Sequence, residues 1–169
     1  MSISTLLREV RTLPGASADK LKPIACSRTV PTTPTTFTKE LQFAAMARSY
    51  GSIQGMASSH DVVWLMREHC DQPISVLAHW IVDRKVVTIE WQQQTLLPLF
   101  QFQLSDMSLC EPILQVVSEL SEVLNDWELA LWFALPNHWL ELATPVDMIE
   151  HEQPAVLLAA RAERYVARG

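Results

Sequence analysis

The spacing of apolar and polar residues in the first half of the chain predicts short helices separated by clear stop signals. A helix is expected over 39–50, with Thr38 as its N-cap and Gly51 as its breaker. Ser58 and Asp61 have the composition of a second helix N-terminus, directly before an apolar run. The sequence therefore predicts two consecutive helices in this part of the chain.

A third helix is predicted to open at Pro73, after a break at 69–72. Its apolar residues recur at i, i+3, i+4 and i+7, which is the spacing of one helix face. They are Ile74, Leu77, Ala78 and Ile81. Two short helices joined by a tight connection result.

Two β-rich runs follow, KVVTIEW from Lys85 and TLLPLFQF from Thr95, with a glutamine-rich turn between them. They predict a hairpin whose second strand lies at a sheet edge, because Pro98 lacks a backbone N–H. Helix, turn, helix and hairpin is the element order of a winged helix-turn-helix, with 73–83 as recognition helix and 85–102 as wing.

The C-terminal part is predicted to be helical. Pro112 opens a helix with one apolar stripe, formed by Ile113, Val116, Val117, Leu120 and Leu124. The next helix runs from its expected cap, Asp126, to Pro136 and has no polar face, so it needs cover on several sides. An alanine-rich helix starts near Pro154 and ends at Gly169.

The stretch 126–147 forms a corner that places three of the chain's six tryptophans around a helix stop and a second helix start. Asn137 suits a turn, and Trp139 follows it. Thr144, Pro145 and Asp147 then restart a helix, with Thr144 as N-cap and Asp147 as its partner in a capping-box-like arrangement.

This corner resembles the C-terminal toxin-binding domain of bacterial antitoxins of the Xre/MbcA/ParS type. The resemblance covers about the last 70 residues. Its elements are a Trp-containing apolar helix over 127–133, Pro136-Asn137, Leu140, a helix start over 145–148 and an alanine-rich helix over 155–167. The chain departs from the family at 141–144, where members usually carry glycine and a basic residue and this chain has Glu-Leu-Ala-Thr.

The resemblance implies an antitoxin-like protein that binds and neutralises a cognate toxin, with a NAD-degrading toxin of the RES type as first guess. Family members cover the toxin's active-site entrance with the end of this domain, which makes the last helix the expected inhibitory element. The toxin-binding residues implied are Trp127, Trp132, Pro136, Asn137, Trp139, Pro145, Arg161, Arg164 and Arg168. No cofactor is implied.

The N-terminal segment of the chain is basic and the C-terminal segment is acidic. Residues 1–38 carry five basic and two acidic side chains, whereas residues 86–169 carry three basic and twelve acidic ones. No Lys or Arg occurs over 86–160, so phosphate repulsion disfavours nucleic acid as a partner of that half. The Pro/Thr-rich segment 1–38 is expected to be a flexible or extended basic arm.

DNA contact remains open for the middle of the chain, although its basic residues are sparse. The candidates are Ser75 and His79 on the recognition helix and Arg84 and Lys85 beyond it. The arm would assist through Arg8, Arg11, Lys20, Lys22 and Arg28. The alternative is that the helix pair and the hairpin only complete the core.

No motif for catalysis or for a metal site emerges. His60, His69 and Cys70 lie at i, i+9 and i+10, a spacing that does not bring three ligands together on a helix. His138 has no nucleophile in a recognisable setting, and four glycines leave no phosphate-binding loop. We therefore expect no enzyme. The three cysteines do not form a disulfide framework, and no apolar run could span a bilayer, so a cytoplasmic protein is expected.

These observations predict an α+β, mainly helical protein in three parts: an arm over 1–38, a winged-helix-like module over 39–104 and a helical toxin-binding-like domain over 105–169. Two alternatives to the antitoxin remain. One is a transcription regulator that acts alone on promoter DNA. The other is a scaffold or homodimeric protein without a toxin.

Overall fold

The computed structural model describes the backbone of residues 34–169 and the side chains from Thr38 onward. The basic arm with Cys26 and its five Lys and Arg residues lies outside the described residues, except for its last part. Residues 34–38 belong to the first helix, α1 (Pro34–Gly51). The expected start at Thr38 was therefore wrong, because the helix begins at a proline, which is favoured in a first turn.

The described residues form a mixed α+β fold of helices and short antiparallel strands. After α1 come β1 (Met56–Ser58), α2 (Ser59–Met66), α3 (Pro73–Val82), β2 (Ile89–Trp91) and β3 (Gln94–Pro98). A 3-10 turn (Leu99–Gln101), β4 (Phe102–Gln103) and β5 (Ser108–Leu109) lead into α4 (Glu111–Leu120) and α5 (Asp126–Ala134). The chain ends with a 3-10 turn (His138–Leu140), α6 (Pro145–Met148) and α7 (Gln153–Arg168).

The hairpin β2–β3 is confirmed, and its two-residue turn consists of Gln92 and Gln93. Gln92 and Gln93 both have positive φ, at 47° and 65°, which is the conformation of a tight type I′ turn. However, β3 is the central strand of a sheet ordered β1-β3-β2, so the expected edge position was wrong. Pro98 is tolerated because it is the last residue of β3, opposite Met56, where the strand is already ending.

Two buried apolar clusters share this small sheet. The larger one joins α1 and β2 to α4, α5, α6 and α7. The smaller one joins α2 and α3 to β3, β4 and the segment before β5. Residues on both sides of position 104 contribute to each cluster, and all described residues fall in one compact unit.

The helix pair α2–α3 begins where the sequence predicts. Ser58 caps α2 by accepting a hydrogen bond from the backbone N–H of Asp61, at 3.2 Å. Within the apolar stripe of α3, Leu77 is buried, but Ile74 and Ala78 are exposed. The core lies against the side of the helix that carries Leu77 and the half-buried Val76, Trp80 and Ile81.

The apolar helix α5 is covered on several sides, as its sequence requires. Its N-cap is Asn125 and not the expected Asp126, since Asn125 and Glu128 form a reciprocal capping box, each accepting the other's backbone N–H at 2.9 Å. From α1, buried Tyr50 donates to the carbonyl of Ala130 at 2.5 Å. Burial raises the pKa of Tyr50, which stays a neutral donor.

Candidate protein-binding surface

A rigid loop at 136–143, which we call the corner loop, connects α5 to α6. Asn137 is buried at its centre, and its side-chain oxygen accepts the backbone N–H of Trp139 at 2.9 Å. The carbonyl of Asn137 accepts from Leu140 and Leu142, at 3.1 and 2.9 Å, and its N–H donates to Ala143 at 3.0 Å. One residue therefore fixes both ends of the loop, and little conformational entropy remains to be lost on binding.

This fixed backbone presents two large apolar side chains to solvent. Trp139 is 56% exposed and Leu142 is 65% exposed. Glu141 and Leu142 have φ angles of 53° and 69°, the left-handed region that favours glycine. The chain therefore adopts a glycine-type turn without glycine. Strain and exposed apolar area in one loop are typical of a binding site.

A pocket of about 320 Å³ lies beside the corner loop. Trp132, Leu135, Pro136 and His138 line it together with Glu163 of α7. The indole N–H of Trp132 is buried and has no hydrogen-bond partner among the described residues. Leaving a buried donor without a partner is energetically costly.

Trp127 and Pro145, two of the sequence-predicted binding residues, belong mainly to the scaffold. Trp127 packs beside Trp91, lies under the Lys39 ammonium at 5.4 Å from its ring centre, and donates its indole N–H to Gln42 at 2.7 Å. Pro145 is buried at the first position of α6. These residues position the corner loop and offer little surface of their own. Trp139, by contrast, is exposed to solvent.

The three arginines of α7 are engaged within the chain. Glu119 of α4 accepts Arg161 at 2.9 Å and Arg164 at 2.5 Å, and Glu122 pairs with Arg168. Glu119 is only 17% exposed, so these contacts are partly shielded from water and tie α7 to α4. The arginines predicted to contact the toxin therefore contribute to the attachment of α7.

The outward face of α7 is apolar instead. Leu158, Ala162 and Tyr165 follow one another at i, i+4 and i+7, and Val166 adjoins them. The large side chains are 63% exposed at Leu158, 80% at Tyr165 and 64% at Val166. The 3-10 turn of the corner loop contacts α7. The corner loop, the Trp132 pocket and this α7 face thus lie on connected elements.

The DNA-binding candidates are placed differently from one another. Ser75 and His79 are exposed on α3, beside exposed Ile74. The Arg84 guanidinium binds Asp126 and the carbonyls of Ser121 and Leu124, which are side-chain and backbone groups of the α4–α5 turn.

Lys85 pairs with Asp83 at 3.0 Å. Both cations beyond α3 therefore have acidic partners within the chain, which lowers the positive potential that a phosphate backbone would meet.

Within residues 34–169, no group of three or more His, Cys, Asp and Glu side chains is arranged to hold a metal ion. Among the helices that the structure describes, none is long and apolar enough to cross a membrane. No family model, curated protein or solved structure matches this chain.

Sequence reasoning missed the apolar face of α7 and the exposure of Leu142. The signal for the first was present, because Leu158, Ala162 and Tyr165 share a face that excludes Val156, Ala159 and Ala160, the buried residues. Nothing local in the sequence indicates a left-handed leucine at 142, since leucine rarely takes that conformation.

Proposed function

We propose that the chain is an antitoxin-like protein that binds and neutralises a cognate protein toxin through the corner loop and the outward face of α7. The observation that carries this proposal is the display of Trp139 and Leu142 on a backbone locked around Asn137. Rigid, exposed aromatic and aliphatic side chains beside a pocket have the character of interface hot spots.

The resemblance to the Xre/MbcA/ParS-type antitoxins supplies the class of partner, and a RES-like NAD-degrading toxin remains the first candidate. The chain departs from the resemblance at 141–144, where it has no glycine, but the left-handed φ at 141 and 142 is a backbone conformation that glycine favours. The acidic half of the chain also favours a protein partner over nucleic acid. We place the protein in the cytoplasm, together with such a toxin.

The mode of contact differs from the one that the sequence suggests. Because Arg161, Arg164 and Arg168 already pair with Glu119 and Glu122, we assign the contact to the apolar face of α7 and the corner loop. Paired arginines at the edge of such a face can still form part of a polar rim around an apolar centre.

DNA binding has support from topology only. The element order α1-β1-α2-α3-β2-β3, with β1 added beside β3, is compatible with a winged helix-turn-helix. The exposed side of α3 presents Ile74, Ala78 and Val82 next to Ser75 and His79, with no Lys or Arg within the helix. This composition disfavours a DNA contact for α3.

The test is neutralisation in cells. The toxin-sized product of the neighbouring gene is expressed alone and together with this protein, and growth is measured. Truncation at 153 is unsuitable, because it removes the buried Val156 and Ala160 and would unfold the domain. The informative variant is Tyr165→Ser with Val166→Ser, which changes exposed side chains only.

We expect the wild-type protein to restore growth and the double variant to lose most of this effect. Ile74→Ser, an equally exposed apolar residue on α3, is the matched control and should retain it. If the wild-type protein fails to protect against the neighbouring product, the proposed function is wrong. If the double variant protects fully, the assigned surface is wrong.

A further inference from the structure

A second concavity, separate from the corner loop, lies where the α1–β1 turn, the start of α4 and the α6–α7 connection meet. Its volume is about 420 Å³, within the range of roughly 300–1,000 Å³ that is usual for small-molecule sites. Its walls include Phe100, Phe102, Ile113, Val146 and Ile149, all of them buried apolar residues. An apolar interior of this kind accommodates the hydrocarbon or aromatic part of a ligand.

The polar groups around this pocket are amides and acids. Gln54, Gln103 and Gln153 line it together with Glu111 and Glu150. None of the described lining residues is Lys, Arg or His. Glu111 and Glu150 therefore make the rim of the pocket acidic, and a concave, partly apolar wall strengthens their negative potential.

The half-buried thiol of Cys110 also lines the pocket, and its pKa responds to the acidic groups nearby. Burial raises its pKa, and the charges of Asp106 and Glu150 raise it further. The thiol thus remains protonated at neutral pH and serves as a small apolar wall atom near the acidic rim. Its position makes it a reporter for occupancy.

We propose that this pocket binds a small organic cation, with an apolar body against the phenylalanine wall and an ammonium group between Glu111 and Glu150. The carboxylates attract the cation, the glutamine amides provide further acceptors, and an anionic ligand of the same shape is repelled. This assignment does not depend on the toxin, since the pocket shares no lining residue with the Trp132 pocket.

The test uses Cys110 as its own probe. In the full-length chain, Cys26→Ser and Cys70→Ser leave one thiol, and its alkylation by iodoacetamide is followed by mass spectrometry. 4-Phenylbutylamine is compared with 4-phenylbutyrate, which has the same apolar body and the opposite charge. We expect the amine to slow alkylation in a saturable way and the acid to have no effect at the same concentration.

Glu111→Gln combined with Glu150→Gln should weaken amine protection about fivefold, as expected for two exposed ion pairs. Glu141→Gln, an exposed acid in the corner loop, is the matched control and should leave protection unchanged. The proposal is overturned if the amine gives no protection, if amine and acid protect equally, or if the double variant protects like the parent. The shift in melting temperature of the wild-type chain with each compound provides a second readout that needs no cysteine substitution.

Discussion

Arg84 connects two parts of the fold, and its replacement by alanine should destabilise the protein substantially. The guanidinium donates to the carbonyl of Leu124 at 2.7 Å and to that of Ser121, and it pairs with Asp126 at 2.9 Å. Charge-assisted bonds to partly buried carbonyls contribute roughly 1.5–3 kcal/mol each when shielded. Because the Arg84 side chain is 36% exposed, we use the low end of this range, about 1.5 kcal/mol for each bond.

The Asp126 pair is more than half exposed and adds at most about 1 kcal/mol. The two carbonyl bonds and the ion pair sum to about 3–4 kcal/mol, and solvent screening and non-additivity reduce the expected loss for Arg84→Ala to about 2–3 kcal/mol in the free energy of unfolding. Arg84→Lys should lose about half of this, because an ammonium cannot span the three acceptors with the geometry of a guanidinium fork.

Urea unfolding followed by circular dichroism measures the effect, and the midpoint should fall by roughly 1 M for a typical urea dependence. Lys85→Ala is the matched control. Its ion pair with Asp83 is exposed and local, so we expect a change below about 0.5 kcal/mol. A comparably small change for Arg84→Ala would refute the structural role. Loss of DNA retention by both variants, at unchanged stability, would restore these residues to a DNA-binding role.

Three further predictions concern buried or strained residues. Gln101→Ala should lower the free energy of unfolding by about 2–4 kcal/mol, measured by thermal or urea unfolding, because the buried side-chain amide accepts the N–H of Val87 and donates to the carbonyls of Val87 and Pro98. A loss under about 1 kcal/mol would contradict this role. Tyr50→Phe should cost about 1–2 kcal/mol by the same assay, because it leaves the buried carbonyl of Ala130 without its donor, and a neutral result would contradict the contact. Glu141→Gly should stabilise the protein by up to about 1 kcal/mol by relieving the left-handed conformation, and destabilisation would show that the loop is not strained there.

Much of the secondary structure follows from local signals. Pro73, Pro112 and Pro154 each lie in the first turn of an observed helix, and the break after α2 is where the polar residues cluster. The hairpin follows from two β-rich runs. Each of these features depends on a few neighbouring residues, so a single sequence suffices to predict it.

Features that depend on distant residues were not predictable in this way. The central position of β3 depends on β1, a strand of three residues about 40 positions earlier in the chain whose composition is not distinctive. The Arg84 contacts reach across about 40 residues to the α4–α5 turn. From the sequence alone, a basic residue after a possible recognition helix is interpreted as a DNA contact. In the folded chain, three acceptors of the α4–α5 turn bind the Arg84 guanidinium instead.

The candidate surface was located only in part. Asn137, Pro136 and Trp139 were selected from the sequence, and the structure places them in one loop. The arginines of α7 were selected because the resemblance implies that the last helix inhibits the toxin, but Glu119 and Glu122 already compensate their charge. Compensation of charge between helices is a tertiary effect, and charge counts along the chain do not reveal it.

If the corner loop docks a protein partner, as proposed, the affinity for the purified neighbouring gene product depends on the exposed Trp139 and Leu142 side chains. Isothermal titration should show that Trp139→Ala and Leu142→Gly each weaken binding by roughly 30-fold or more, as for hot-spot side chains. Leu142→Gly should not destabilise the fold, because glycine suits a φ of 69°. Ile74→Ser should bind like the wild type. Unchanged affinity for both loop variants would contradict the account.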